Sequence, residues 1–294
     1  MKKFLVLLLT IQATHLYSQS IHSLEPASNH YKALKVLSAE PNSEMAKLDG
    51  IRYAPSKYSA VALLYTMAQP AYLKQDQIDA LKNSVQYPAN SSDQTRAELD
   101  FLLKWQKERT LAQEERAAQI LAPVGYWPHI DVMKNHPSYE KNLKHLFFEG
   151  REVLGEACTT ENYPATAQLL RGITKDMRIM EFTTKYHLLR PRPYDLEPEL
   201  KPLAIMSSPS FASGHTLWAY IHAFTWSELI PSKRKAFLEL AYEIGESREI
   251  MGIHYPSDEE AARVLAHRML SAMWSNPEFI SDLKAAQLEW DNQK

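Results

Sequence analysis

The sequence predicts an all-α fold. Three observations carry that expectation: glycine is scarce, at 8 of 294 residues, apolar residues recur at helical spacing from about residue 56 onward, and no alternating strand pattern competes with them. Folds that use glycine for tight turns and phosphate loops are disfavoured by so little of it. With 45% hydrophobic and 23% charged residues, the chain can bury a large core and is not disordered. After a weakly periodic lead over 20–54, helices are expected near 56–68, 71–85, 92–121, 138–156, 164–189, 213–229, 232–251, 257–274 and 277–291. Several starts have capping chemistry. Ser92 or Asp93 can cap the third helix, Pro164 suits a first-turn position, Ser232 follows the helix-ending Pro231, and Ser257 with Glu260 makes a capping-box pattern. No internal repeat, low-complexity tract or linker divides the chain, so one domain over 19–294 is expected, with a separate N-terminal helical subdomain as the alternative.

The first eighteen residues read as a targeting segment. Lys2 and Lys3 precede the apolar run Phe4–Ile11, and the polar stretch closes on Ser18, a small residue before Gln19. A secretory signal over 1–18 is expected, with a retained short anchor as the alternative. The apolar run is far shorter than the roughly 20 residues of a membrane span. The expected product is exported, periplasmic or secreted, with no stable membrane span.

Charge and cysteine content exclude other classes. Lys and Arg number 33 against 35 Asp and Glu, a net charge of −2, with no basic block of the kind nucleic-acid binding needs. The single cysteine, Cys158, rules out an internal disulfide and a Cys-rich zinc site. His129, Asp131 and His136 lack a recognisable ligand spacing around Pro128 and Pro137, so no metal site is expected.

Three clusters in the C-terminal half carry chemistry: KYHLLRPRP (Lys185–Pro193), PSFASGH (Pro209–His215) and SREIMGIHYPSD (Ser247–Asp258). In the last, Phe237, Leu240, Ile244, Arg248 and Met251 recur at helical spacing, which turns Arg248 inward, where a guanidinium needs an anion. Gly252 can end that helix and Pro256 stops it continuing, leaving His254 on a short loop before a helix from Ser257. Asp258 then falls in the first turn, close enough to take a hydrogen bond from one ring nitrogen of His254. Ser213, Gly214 and His215 open the helix through Trp218 and Phe224; its free N–H groups, with the Ser213 hydroxyl, form an anion site beside His215. Lys185 and Arg192 are seven apart, but Pro191 breaks the helix between them, and Arg190 rivals Arg192 for the same role. His222, seven residues after His215, reads as a core histidine, with a supporting contact to the site as the alternative.

These cations, a helix N-terminus and two histidines would repel one another in an empty site, since unit charges about 4 Å apart interact by roughly 4 kcal/mol at an effective dielectric of 20. A multiply charged tetrahedral oxyanion such as phosphate resolves the conflict, with bidentate guanidinium contacts and the lysine as a point charge. His254 would then attack phosphorus, while His215 protonates the leaving oxygen and afterwards activates water. Lys185, Arg192 and Arg248 neutralise charge without a metal.

The ordered trio Lys-x6-Arg-Pro, Ser-Gly-His and Ser-Arg-x5-His-x3-Asp resembles the signature of the type 2 phosphatidic acid phosphatase superfamily. That superfamily joins class A bacterial acid phosphatases, lipid phosphatases and vanadium-dependent haloperoxidases. Lys185, Arg192 and Pro193, then Ser213, Gly214 and His215, then Ser247, Arg248, His254 and Asp258 match with every spacing kept, over about residues 164–275. The stretch Thr95–Asp100 more weakly resembles a lead-in of soluble members. The resemblance implies a helical bundle of the acid phosphatase/vanadium haloperoxidase type. It further implies phosphate binding by Lys185, Arg192, Ser213, Gly214 and Arg248, a nucleophilic role for His254, an acid role for His215 and an orienting role for Asp258. Ala212 and Ala262 depart from the proline and glycine that members often carry there, and neither change removes a reacting group. The activity implied is hydrolysis of a small phosphorylated substrate through a phosphohistidine, with no cofactor, most like the class A acid phosphatases. A vanadium-dependent haloperoxidase, using vanadate as cofactor where a phosphatase would be inhibited by it, and a lipid phosphate or pyrophosphate phosphatase are the alternatives. A binding protein with a dead phosphate site is a weaker one.

Overall fold

The computed structural model describes residues 24–124 and 145–291, and every regular element among them is helical. The signal segment 1–18 and His129, Asp131 and His136 lie outside the described residues. In chain order the α-helices are α1 (Asn29–Leu34), α2 (Ala60–Thr66), α3 (Gln75–Lys82), α4 (Asp93–Glu108), α5 (Leu111–Glu115), α6 (Phe148–Leu154), α7 (Pro164–Leu188), α8 (Pro193–Leu196), α9 (Gly214–Leu229), α10 (Arg234–Ile250), α11 (Pro256–Met273) and α12 (Pro277–Asp291).

Helix α9 is the axis of the bundle. Every residue from Gly214 to Leu229 is buried, polar ones included; the Thr225 and Ser227 hydroxyls are satisfied by the Ile221 and Ala223 carbonyls of their own helix. Helices α7, α10, α11 and α12 pack around it, and Trp218 and Trp226 fill the space between them with no exposed surface. The other long helix, α7, starts with Pro164 at its first position. The Glu289 carboxylate of α12 accepts the N–H groups of Ala165 and Thr166 at 2.7 and 2.8 Å, capping α7 from a neighbouring helix. Asp176, midway along α7, accepts the backbone N–H groups of Ala71, Tyr72 and Leu73 at 2.5–2.8 Å and pins the turn before α3.

The expected second-half helices are present, and the departures have local causes. The 92–121 helix is broken, because Thr110 and Gln113 form a capping box that starts a new helix, which then widens into a π-turn over Arg116–Leu121. Ser92 does cap α4, accepting the Thr95 N–H at 3.1 Å. The 56–68 stretch divides where Ser59 caps α2. Of 138–156, the helical part among the described residues is α6. Helix α10 starts at Arg234, after a 3-10 turn over Pro231–Lys233. Helix α11 starts one residue early: Pro256, expected to act only as a stop, occupies its first position, and Asp258 rather than Glu260 reaches back to cap it. Short elements absent from the sequence reading are α1, α8 and a 3-10 run over Ser43–Gly50, each a few residues long and set by a local cap rather than by periodicity.

Candidate active site

The three clusters meet at a cavity of about 270 Å³ beside the N-terminus of α9. Lys185, Arg192, Gly214, His215 and His254 line it together. Helix α7 delivers Lys185 in its last turn and stops at Leu188, because Leu189 turns left-handed (φ 55°) and Pro191 cannot continue a helix. The chain then runs extended through Arg192, which aims its guanidinium back at the cavity. Helix α10 ends at Ile250, Gly252 takes φ 68°, and His254 is presented on the short loop before α11, as expected.

His254 is held in one tautomer. Its Nδ1 lies 3.1 Å from Asp258 Oδ2 and its Nε2 lies 2.9 Å from Arg192 Nη1. A guanidinium only donates, so Nε2 accepts with its lone pair and the ring proton sits on Nδ1, donated to Asp258. Burial, and then the charge of Arg192, hold the His254 pKa well below that of an ordinary histidine, which keeps the ring neutral. Arg192 is itself fixed by the Ser208 and Ile253 carbonyls, at 2.9 and 2.7 Å.

Asp258 is completely buried and fully engaged. Oδ2 accepts from the Ser210 hydroxyl at 2.5 Å and the Tyr255 N–H at 3.1 Å, and Oδ1 accepts from Arg190 at 2.6 Å. Burial alone would raise its pKa, but the Arg190 charge and the bonds from His254 and Ser210 outweigh it and hold the carboxyl below the usual range. The rivalry between Arg190 and Arg192 is thereby resolved. Arg190 faces away from the cavity, donating to Asp258, to Ser257 Oγ at 2.8 Å and to Glu98 at 3.3 Å, and lies 3.7 Å over the Tyr255 ring. Glu98 belongs to the Thr95–Asp100 stretch of α4, and its buried carboxylate also accepts from Ser257 at 2.8 Å. The chain Glu98–Arg190–Asp258–His254 therefore runs from α4 to the cavity wall.

The remaining expected residues are close by. His215 lines the cavity and donates from Nε2 to the Ala122 carbonyl at 2.8 Å; burial, then the nearby Arg248 charge, lower its pKa well below 6.5. Ser213 is buried and caps α9, accepting the Thr216 N–H, and is not on the cavity wall. Arg248 is turned inward as expected, 1% exposed, but lies behind the wall, donating to the Ala117 carbonyl of the π-turn at 2.9 Å. His222 is a core histidine, 3.3 Å from Glu149, 3.1 Å from Thr174 and stacked on Trp218. Among the cavity residues that sequence reasoning missed are Glu181 and Arg178, one and two turns before Lys185 on the same face of α7; their spacing to Lys185 is the available signal.

Lys185 is buried, donating to the Pro209 and Ser210 carbonyls at 2.8 and 3.0 Å. Burial, and then Arg192, lower its pKa to about 7. It is charged below that pH and neutral above, so inhibition by inorganic phosphate is expected to weaken as pH rises through neutrality. Phosphate Ki measured across that range checks this; a Ki that stays flat contradicts an anion contact by Lys185.

Residues 165–280 match the family model of the PAP2 superfamily. The chain is similar to a non-specific acid phosphatase of Providencia stuartii, 30% identical over 152 residues, which covers 49% of this chain and 60% of that protein. A non-specific acid phosphatase of Salmonella typhimurium is 25% identical over 160 residues, 52% of this chain and 62% of that protein. The chain thus spans about three fifths of the length of these relatives. Among solved structures it is similar to a transmembrane PAP2-type phosphatidylglycerolphosphate phosphatase of Bacillus subtilis, at TM-score 0.41 and 18% identity over 67% of this chain and 90% of that one. A bacterial vanadium-dependent iodoperoxidase aligns at TM-score 0.46 and 15% identity, over 65% of this chain and 51% of that one. Among the described residues, no helix is long and apolar enough to cross a membrane, and no group of three or more His, Cys, Asp or Glu side chains gathers as a metal site.

Proposed function

We propose that this protein is an exported acid phosphatase that hydrolyses small phosphate monoesters through a phosphohistidine on His254, without a metal. The observation that carries the reading is the tautomer of His254: its proton is committed to Asp258, and its Nε2, which accepts from Arg192, lies on a cavity also lined by Lys185, where a phosphate that takes the Arg192 donor would free the lone pair for attack. A neutral imidazole fixed in that way is a nucleophile, and those cations are what a phosphoryl group in transfer requires. The similarity to non-specific acid phosphatases supports the same reading.

In the first step, Nε2 of His254 forms a bond to phosphorus and the bond from phosphorus to the ester oxygen breaks. His215 gives its proton to the departing oxygen, so the alcohol leaves neutral. In the second, His215 takes a proton from water, whose oxygen attacks phosphorus and breaks the P–N bond, releasing inorganic phosphate and restoring His254. Lys185, Arg192 and the N–H groups at the start of α9 hold the non-bridging oxygens, and Arg248 supports them from behind the wall. Asp258 stabilises the ring as Nε2 becomes bonded to phosphorus.

The lowered pKa values have matching signs. Burial and nearby cations hold both rings well below the ordinary 6.5, so His254 is neutral near pH 7, as a nucleophile must be, and His215 gains the proton it donates only as pH falls. Activity is therefore expected to rise as pH falls from neutrality. The test is hydrolysis of a chromogenic aryl phosphate by the purified protein from neutral to mildly acidic pH, with EDTA present, with and without vanadate. Turnover that rises toward acid, survives EDTA and is inhibited by vanadate supports the reading. Halide oxidation dependent on added vanadate, with no ester hydrolysis, contradicts it.

A further inference from the structure

The cavity that holds Lys185, Arg192 and His254 is also lined, among the described residues, by one carboxylate, Glu181. Glu181 is 6% exposed and lies directly against Gly214, the first residue of α9; a Cβ added to that glycine would run into its carboxyl group. The N-terminus of α9 is where the oxygens of an incoming phosphate are to be held, so a fixed anion already stands beside their position. Arg178 accounts for how it is tolerated. One turn earlier on α7, it donates Nη1 to Glu181 Oε2 at 2.5 Å, with both side chains buried. Its guanidinium lies 4.7 Å from the Phe182 ring centroid and 5.4 Å from that of Tyr65, stacking that fixes its direction.

We propose that Glu181 competes with phosphate for the anion site at the start of α9, and that Arg178 is a positioning residue that neutralises Glu181 and holds it aside, so that the pair sets phosphate affinity without taking part in bond making. This rests on the reading of the cavity as a phosphate site. A carboxylate and a phosphate a few ångströms apart repel by an amount that matters in a partly desolvated cavity, and a salt bridge to Arg178 cancels most of it. Substrate affinity then depends on the pair, whereas the rate of the bound complex depends on His254 and His215. The Gly214 position follows as well: any side chain there would displace Glu181 from Arg178.

The experiment is calorimetric titration of inorganic phosphate into the wild-type protein, Glu181→Gln, Arg178→Met and the double variant at one mildly acidic pH, with KM and kcat for an aryl phosphate measured beside it. Glu181→Gln is expected to tighten phosphate by about tenfold and to lower KM more than it changes kcat. Arg178→Met is expected to weaken phosphate by about the same factor, and the double variant to return to the wild-type value or better. A double variant as weak as Arg178→Met would mean that Arg178 binds the anion itself, and weaker binding by Glu181→Gln would mean that the carboxylate supports Lys185; either overturns the proposal. If Arg178→Met fails to give a cooperative thermal transition, Glu181→Gln decides alone, through the sign of its effect. Unchanged affinity in Glu181→Gln, with phosphate bound normally by the wild type, defeats this inference only. Absence of phosphate binding in every form defeats the phosphatase reading with it.

Discussion

His254→Ala is expected to lower kcat for aryl phosphate hydrolysis by at least about 10⁴-fold while leaving the fold in place. The size of the effect follows from the role: removing the nucleophile removes the covalent path, and among the described residues no other cavity side chain presents a neutral nitrogen held by a carboxylate. The fold survives because the groups that touch His254 keep their other partners. Asp258 retains Arg190, Ser210 and the Tyr255 N–H, and Arg192 retains the Ser208 and Ile253 carbonyls. The measurement is steady-state kinetics alongside thermal unfolding, with a melting temperature within a few degrees of wild type. Turnover near the wild-type rate would remove His254 from the nucleophilic role.

Arg190→Met is the substitution expected to cost most stability, about 3–5 kcal/mol. Both carboxylates it serves, Glu98 and Asp258, are completely buried, as is Arg190. Methionine fills much of the space over Tyr255 but supplies no charge, leaving two buried anions uncompensated. In the wild type, the depressed pKa of Asp258 contributes stability above its ordinary value of 3.8, lost only as pH falls through the lower folded-state value. Without Arg190 that contribution disappears, and Asp258 no longer holds His254 in its productive tautomer, so rate falls with stability. Urea unfolding at neutral pH measures it. A loss below about 1 kcal/mol would mean that water or another cation already compensates the pair.

What was legible in the sequence was what depends on short spacing. The helix over 213–229 could be read from apolar residues at helical spacing, Arg248 from its place on an inward stripe, and the His254–Asp258 bond from a separation of four residues beside a helix start. What could not be read depends on contacts between distant segments. Glu98 joins the site through Ser257 and Arg190, on elements that only the folded chain brings together. Arg190 and Arg192 were inseparable because the left-handed Leu189 and Pro191 between α7 and Arg192 defeat helical geometry, and only the fold shows which guanidinium faces the cavity. Pro256 was read as a stop and is a start, because proline terminates one helix and begins the next with the same fixed φ. Glu181 shows a different limit: a carboxylate in a phosphate cavity contradicts the charge pattern that located the site, so charge reasoning alone passes over it.

The most direct measurement of the central assignment is a single-turnover reaction with an activated phosphate ester, quenched in alkali to preserve phosphohistidine and digested for mass spectrometry. A phosphoryl group on His254, absent from His254→Ala and formed at a rate no slower than turnover, is the expected result. Complete hydrolysis of the ester in the first turnover, with no phosphoryl group on His254 or with one on another residue, would contradict it.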